Sequence, residues 1–541
     1  MKYIIVSGGV ISGIGKGTVC SSIGVLLKSK GGCVVSHIKI DPYLNYSAGM
    51  MAPSEHGEVY VLNDGGETDL DLGNYERFVN IELTSKNAIT SGNIFYNLIN
   101  RERNGEFGGK TLQMNPHIIE EIINRIEEVS KLPVKDTFTG VLSIPDVIII
   151  ELGGTVGDFE SLMFLEAFYK FTSKLNKQDF IHISVDYLID LHGTEHKTKP
   201  IQNSFRNLRS FGLMSDIMIC RTQFPLEDVS INKISGICNI DKRNIYHLPT
   251  LNSIYRVPQY LESNGLFDCI KNLLKIEEKP VGVNILEKMN KLTKRHPDSI
   301  NIGLITKYGT QADSYSSVVH ALLFSSYEVG ANIELTWIDS EEFETNYESA
   351  ISKIKECNGI LVPGGFGTRG IEGKIRAISY CRENKVPFLG ICLGLQLSVI
   401  EFVRNVLKIK DATSEEFDPK AENQVITYIN HNGTKNRQIR LGSNNIVLKD
   451  KSKIKTFYGK DLISERHRHR FEINRDIVDT LVSNGYICSG RSEGHDVPEI
   501  FELSDHPFFV GVQFHPEFNA SSLTPSPLFA SLLKAAYKNM K

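Results

Sequence analysis

Tyr3-Ile4-Ile5-Val6-Ser7-Gly8-Gly9-Val10-Ile11-Ser12-Gly13-Ile14-Gly15-Lys16-Gly17-Thr18 runs from a short apolar stretch into a glycine-rich turn. A helical pattern over 18–30 follows, closed by Gly31-Gly32, and a second apolar stretch covers 34–40. Strand, glycine-rich loop, helix, strand is a βαβ unit and predicts a parallel sheet. Short apolar runs at 146–151, 180–185 and 216–220 supply further buried strands. The front of the chain is expected to be a doubly wound α/β domain.

The loop itself points to polyphosphate. Glycines free backbone N–H groups, the following helix adds its N-terminus, and Lys16 adds a charge. The spacing departs from G-x-x-x-x-G-K-[ST]: Gly9 to Gly15 is one residue longer, and Gly17 precedes the hydroxyl residue. A nucleotide centre also needs hard oxygen ligands for a metal. Candidates are the acids of Glu67-Thr68-Asp69-Leu70-Asp71 and Glu151, which ends the apolar run Val147-Ile148-Ile149-Ile150. An acid at the C-terminal end of a buried strand faces the crevice where open α/β sheets bind ligands.

Residues 276–300 are charged and punctuated by Pro280 and Pro297, and read as a linker between domains at 1–275 and 301–541. A second α/β pattern begins at Ile302-Gly303-Leu304-Ile305, with strands expected at 335–338, 359–362, 387–391 and 508–514. The polar, Asn-rich stretch 421–460 reads as a loop or hairpin insertion. In this half, Gly390-Ile391-Cys392-Leu393-Gly394 is the thiol counterpart of a nucleophile elbow, whose turn favours thiolate at a helix start. Gln513-Phe514-His515-Pro516-Glu517 offers a base, His515, and an acid to orient it, Glu517. Val362-Pro363-Gly364-Gly365-Phe366-Gly367 can present amides to an oxyanion. His467 and His469 could be read as a metal pair, but no third ligand lies near in sequence and arginines flank them.

Composition bounds the rest. A chain of 541 residues with 60 Lys plus Arg against 64 Asp plus Glu carries a formal charge of −4, which argues against coating nucleic acid. No apolar run approaches the roughly 18 residues of a membrane span, and the N-terminal one is shorter than a signal-peptide core. The nine cysteines are scattered, odd in number and without a CxxC, which fits a reducing, cytoplasmic setting.

Two resemblances rest on these residues. Gly390-Ile391-Cys392-Leu393-Gly394 with His515-Pro516-Glu517 resembles the class I glutamine amidotransferases. The phosphate loop, Lys39-Ile40-Asp41-Pro42-Tyr43, His56-Gly57-Glu58-Val59, Asp69-Leu70-Asp71-Leu72-Gly73-Asn74-Tyr75-Glu76-Arg77-Phe78 and Glu151-Leu152-Gly153-Gly154-Thr155-Val156-Gly157-Asp158 resemble the CTP synthases. So do Lys197-Thr198-Lys199-Pro200, Ser253-Ile254-Tyr255-Arg256-Val257-Pro258 and Glu465-Arg466-His467-Arg468-His469-Arg470. The blocks span nearly the whole chain in order. The resemblance implies a dethiobiotin-synthetase-like synthetase domain fused to an amidotransferase domain. It implies ATP-dependent amination of UTP to CTP through a 4-phosphorylated UTP, with ammonia from glutamine carried internally.

The same resemblance implies roles. Ser12, Gly13, Ile14, Gly15, Lys16, Gly17, Lys39 and Asp71 would bind ATP; Asp71 and Glu151 would bind Mg2+. Asp158, Glu160, Lys197, Lys199, Gln202 and Lys233 would bind UTP or CTP, with Gln113 a further candidate. Cys392, His515 and Glu517 would be catalytic, and Gly365, Leu393, Gln396, Glu416 and Arg470 would hold glutamine. Pro53, His56 and Val59 would border the ammonia path. GTP as activator, CTP as feedback inhibitor, a homotetramer and filaments are further family expectations. Three departures stand out: His196 before Lys197, Met50 for a usual threonine, and Met163 for a usual proline. In Asn436-Arg437-Gln438-Ile439-Arg440-Leu441-Gly442 only Arg440-Leu441-Gly442 keeps the family's lid, which bears on GTP activation. The alternatives are a related amidoligase with another acceptor, or an assembly protein without activity.

Overall fold

The structure, a computed structural model, describes residues 1–191, 195–309, 312–429 and 439–540. The chain forms two compact units, Met1–Met50 with Asp71–Thr293, and Met51–Leu70 with Lys294–Lys541.

Seven strands make the main sheet of the first unit: β1 Lys2–Gly8, β2 Val35–Asp41, β3 Ala88–Thr90, β4 Val147–Leu152, β5 Phe180–Tyr187, β6 Ile217–Arg221 and β7 Ile245–Leu248. All neighbours are parallel, in the order β7-β6-β5-β1-β4-β2-β3. Ile148, Ile149 and Ile150 are all fully buried although alternate residues face opposite sides. Both faces are therefore covered, which is why the strand reads as an unbroken apolar run. Each such side chain contributes roughly 1.5–3 kcal/mol of burial. Register then aligns the functional ends: Lys39 of β2 and Val6 of β1 both lie opposite Glu151 of β4.

The second unit carries a nine-stranded sheet: β8 Ser299–Thr306, β9 Asn332–Asp339, β10 Gly359–Val362, β11 Phe388–Ile391, β12 Arg440–Leu448, β13 Leu462–His469, β14 Tyr486–Ser492, β15 Pro498–Leu503 and β16 Phe509–Val512. The order is β9-β8-β10-β11-β16-β15-β14-β12-β13, parallel as far as β16 and antiparallel beyond it.

Three sequence expectations change. Within the stretch 421–460, expected as a loop or hairpin insertion, the described residues 440–448 form β12, which enters the main sheet as an antiparallel partner of β13 and β14. Its buried aliphatic side chains are Ile446 and Leu448, flanking the exposed Val447, and the polar run Gly442-Ser443-Asn444-Asn445 before them hid the strand. The stretch expected as linker holds a helix, Ile285–Leu292, whose Ile285 and Met289 are buried and whose Leu286 amide bonds Ser29 Oγ at 3.3 Å within the first unit. Residues 51–70 fold with the second unit: Tyr60 donates to the Phe518 carbonyl at 3.0 Å, Ser314 to that of Pro53 at 2.8 Å, and the Ser317 amide to Glu58 at 2.8 Å. No helix among the described residues is long and apolar enough to cross a membrane.

Candidate active sites

The first site gathers at the C-terminal ends of β1, β2 and β4. Gly13 and Gly15 take φ of +69° and +85°, left-handed values that a side chain would strain, and Gly15 caps the helix Lys16–Gly31. Gly17 is required by space: a Cβ there would lie 2.1 Å from Asp71 Oδ1. Ile14 and Lys16 are buried, while Ser12 and Gly13 are exposed. Lys16 Nζ donates to the Gly154 carbonyl at 2.7 Å. Lys39 Nζ donates to Asp71 Oδ2 at 2.5 Å and Glu151 Oε1 at 2.8 Å, with Asp41 at 3.7 Å. Burial pushes the Lys16 ammonium below its usual range, opposed by Glu151. Burial would raise Asp71, but Lys39 outweighs it and holds that carboxyl below its ordinary value. Burial lifts Asp41 to about 6 against the pull of Lys39.

Tyr75 donates its hydroxyl to Glu151 Oε2 and stacks on His37 at 4.5 Å. Sequence reading gave Tyr75 no role. Its signal was present, because Asp71 and Tyr75 lie one turn apart on the helix Leu70–Val79 and so share a face. Two hard carboxylates converging on one cationic nitrogen fit a divalent ion that keeps several waters. Among the described residues, no three His, Cys, Asp or Glu side chains form a ready-made metal cage.

The expected acceptor residues lie farther along the same unit. Lys197 ends a short strand, Glu195–Lys197, paired with Ile189–Leu191. Lys199 opens the helix Lys199–Ser210, and Gln202 donates to Thr198 Oγ1 at 3.0 Å. That helix packs through Ile201 and Phe205 against Ile234 and Cys238 of Asp228–Cys238, which carries the exposed Lys233. His196 is held by Ser230 at 3.2 Å, which ties the short strand to the same helix. Asp158 and Glu160 are exposed around the turn Phe159–Ser161, and Thr155 donates to Asp158.

The second site is built by three adjacent parallel strands. β10 leads into the loop 363–367, β11 into Cys392, and β16 into His515. Ile391 lies opposite Val512, and the Cys392 amide bonds the Val512 carbonyl at 2.7 Å. Cys392 has φ +53° and ψ −101°, the sharp turn a nucleophile elbow needs, and precedes the helix Leu393–Asn405. Its glycines are there for space: a Cβ on Gly394 would sit 2.2 Å from the Val362 carbonyl oxygen. His515 Nδ1 meets Glu517 Oε1 at 2.7 Å, and its ring stacks on Phe518 at 5.0 Å. A Cβ on Gly364 would lie 2.8 Å from His515 Cε1 and 3.5 Å from Cys392 Cβ, so the candidate base and nucleophile both flank that glycine. Burial opposes charge on His515, yet Glu517 and the Cys392 sulfur outweigh it and raise the imidazole to about 10. The arrangement places a protonated imidazole on the thiol's side of the site.

Gly365 stands against Leu393, and the Leu393 amide, first in its helix, has no partner inside it. Gln396 is buried and bonds the Phe471 carbonyl at 2.9 Å. Glu416 accepts from the Gly367 amide at 2.8 Å. Arg466 and Arg468 point to residues 60–67: Arg466 to Asn63 at 2.6 Å and Tyr60 at 2.8 Å, Arg468 to Glu67 at 2.8 Å. Arg470 lies one residue beyond β13, exposed, with its guanidinium 6.0 Å from the Phe366 ring centre. The intervening histidines bond each other at 3.1 Å, and His469 faces the Phe471 carbonyl at 2.9 Å. His56 is exposed on the helix Pro53–His56, while Val59 is buried. Two buried lysines, unmarked in the sequence, hold the loop after β10: Lys307 donates to Gly367 O at 2.5 Å and Lys374 to Pro363 O at 3.3 Å.

Residues 2–276 match the family described as CTP synthase N-terminus, and residues 311–535 match glutamine amidotransferase class-I. The CTP synthase of Encephalitozoon cuniculi is 47% identical over 542 residues, covering all of both chains. The chain belongs to the CTP synthase family. The human CTP synthase 2 is 44% identical over 556 residues, covering all of this chain and 94% of the human one. Among solved structures, the glutaminase domain of the Trypanosoma brucei CTP synthase with bound acivicin is 33% identical, covers 44% of this chain and 94% of its own, and has a TM-score of 0.42. Both CTP synthase parts, synthetase and amidotransferase, are thus present in one chain.

Proposed function

We propose that this CTP synthase converts UTP to CTP with ATP and glutamine, and that the residues above take the following roles. Cys392 attacks the glutamine amide carbon to form a thioester, and the leaving nitrogen takes its proton from His515, held by Glu517. The Gly365 and Leu393 amides stabilise the oxyanion; Gln396, Glu416 and Arg470 hold the substrate's polar ends. Water then releases glutamate. Ammonia passes internally by Pro53, His56 and Val59 to the synthetase centre. There Ser12 to Gly17, Lys16 and Lys39 bind ATP, and Lys197, Lys199, Gln202 and Lys233 bind UTP near Asp158 and Glu160. The γ-phosphoryl group goes to O4 of UTP, and ammonia displaces it as phosphate. Asp71 and Glu151 would hold Mg2+, which when bound neutralises phosphate charge.

The observation that carries this reading is the imidazole and carboxylate bonded at 2.7 Å at the end of β16, with the thiol at the end of the neighbouring β11 flanking the same glycine, Gly364, in a chain whose other unit presents the phosphate loop. GTP activates the glutaminase, CTP inhibits by occupying the UTP site, and the working form is a homotetramer that can build filaments in the cytoplasm. The nine cysteines, all free, support a reducing compartment. Of the lid, Asn436, Arg437 and Gln438 lie outside the described residues, while Gly442 takes φ +79° against Asn63 and Gly65.

The test is direct. Purified protein receives UTP, ATP and Mg2+ with glutamine or, separately, ammonium chloride, each with and without GTP. CTP is expected from both nitrogen sources, with GTP accelerating only the glutamine reaction. Another aminated product in place of CTP would select the amidoligase with a different acceptor.

A further inference from the structure

Gln513 is fully buried two residues before the base, and its amide N–H meets the nucleophile: Nε2 donates to Cys392 Sγ at 3.7 Å. Its Oε1 accepts from Gln396 Nε2 at 3.3 Å, and that same Gln396 nitrogen donates to the Phe471 carbonyl at 2.9 Å. Which way a glutamine amide points is decided by its network. This network has a fixed end. A backbone carbonyl only accepts, so the Gln396 group facing Phe471 is NH2. The second hydrogen of that group is directed at Gln513, which must answer with its oxygen. Gln513 is left with its own NH2 group toward the sulfur.

We propose that Gln513 is a further residue of the glutaminase machinery, a hydrogen-bond donor to the Cys392 sulfur whose direction is set through Gln396 from the Phe471 carbonyl. A donor aimed at sulfur favours S⁻ over S–H. It counters the Arg468 carbonyl, 3.8 Å from the same sulfur, which can only accept and so favours the thiol. The titratable groups facing Cys392 are His515 with Glu517, Lys374 on the helix Ile371–Glu383, and Tyr308 after β8. His515, charged through Glu517, faces the sulfur electrostatically; Gln513 supplies a neutral donor that fixes where the sulfur lone pair points.

The inference rests on Cys392 being the nucleophile, and one experiment separates the two claims. Full-length protein is alkylated with iodoacetamide from pH 5 to 10, and each cysteine peptide is quantified by mass spectrometry. In the unaltered chain Cys392 reacts ahead of the other eight thiols; if it does not, the nucleophile assignment itself fails. In Gln513→Met, of similar size but without a donor, the Cys392 midpoint rises by about one pH unit. The kcat for glutamine hydrolysis falls about tenfold, KM changes less than about threefold, and ammonia-dependent CTP formation is unchanged. If Gln513→Met does not fold, Gln513→Glu keeps the acceptor for Gln396 and must shift the midpoint in the same direction. A folded variant with lower kcat and an unmoved midpoint overturns the proposal.

Discussion

The two candidate centres are built on opposite plans. In the second unit, the proposed catalytic groups are gathered before substrate arrives: thiol, imidazole and carboxylate come from the ends of neighbouring strands and are buried together, the imidazole bonded to the carboxylate. In the first, charge is balanced internally: Lys39 lies between Asp71 and Glu151, while Lys199, Lys233, Asp158 and Glu160 stand exposed on two helices and one turn. The chemistry explains the contrast. Nucleophilic attack on an amide depends on side chains aligned before substrate arrives, and backbone strain at Cys392 holds that alignment. Phosphoryl transfer asks the protein chiefly to position and neutralise charges that the substrates bring.

Two substitutions separate these plans most sharply. Cys392→Ala removes the proposed nucleophile of glutamine hydrolysis. Glutamine-driven CTP formation is expected to drop by roughly a thousandfold or more, with the ammonia-driven rate within about twofold of normal. CTP absorbance with each nitrogen source reads this, and loss of both rates would break the division into two centres. Lys16→Ala gives the converse: CTP formation from either source falls about a hundredfold, and glutamate release continues.

The parts of the candidate amidase centre were largely legible in the sequence because they are local motifs: G-x-C-x-G and His515-Pro516-Glu517 each mark a strand end. The phosphate loop was legible for the same reason. What the sequence concealed depends on register or tertiary packing. Lys39 meets Glu151 only because β2 and β4 are neighbours. Lys307 and Lys374 hold the loop after β10 from a strand end and a helix that no spacing links to it. Residues 51–70 read as part of the front domain by position, yet their hydrogen bonds place them in the rear unit. β12 stayed undecided between loop and hairpin because a polar strand with two buried aliphatic residues resembles a loop.

A smaller effect tests how the pre-aligned centre holds its proton. Glu517 raises the His515 imidazole to about 10, against burial. The alkaline limb of glutaminase activity, where imidazolium loses its proton, should lie near that value. Glu517→Gln keeps the shape but removes the charge. We expect the limb to move at least one pH unit toward neutrality, with kcat reduced roughly a hundredfold. An unmoved limb would assign it to another group. The linkage sign follows: a raised folded-state pKa contributes stability in full below about 6.5 and loses it as pH climbs through about 10.

Lys374 carries the opposite sign and the smallest expected effect. It is fully buried, its one described hydrogen bond goes to the Pro363 carbonyl, and burial lowers its ammonium from 10.5 to about 7. The unfolded chain binds that proton more tightly than the folded one between those two values. Stability therefore rises with pH across the window, by roughly 2 kcal/mol from pH 7 to 9 for this group alone. Lys374→Met fills the same space without the charge and removes that slope. The variant should melt higher than the unaltered chain at pH 7, and the gap should narrow at pH 9. A constant gap would mean that the lysine is charged in the fold throughout, with a counter-charge outweighing its burial. Because the Pro363 contact is lost as well, a modest fall in glutaminase kcat at unchanged ammonia-driven CTP formation would place the loop's geometry, rather than the lysine's charge, under the control of this side chain.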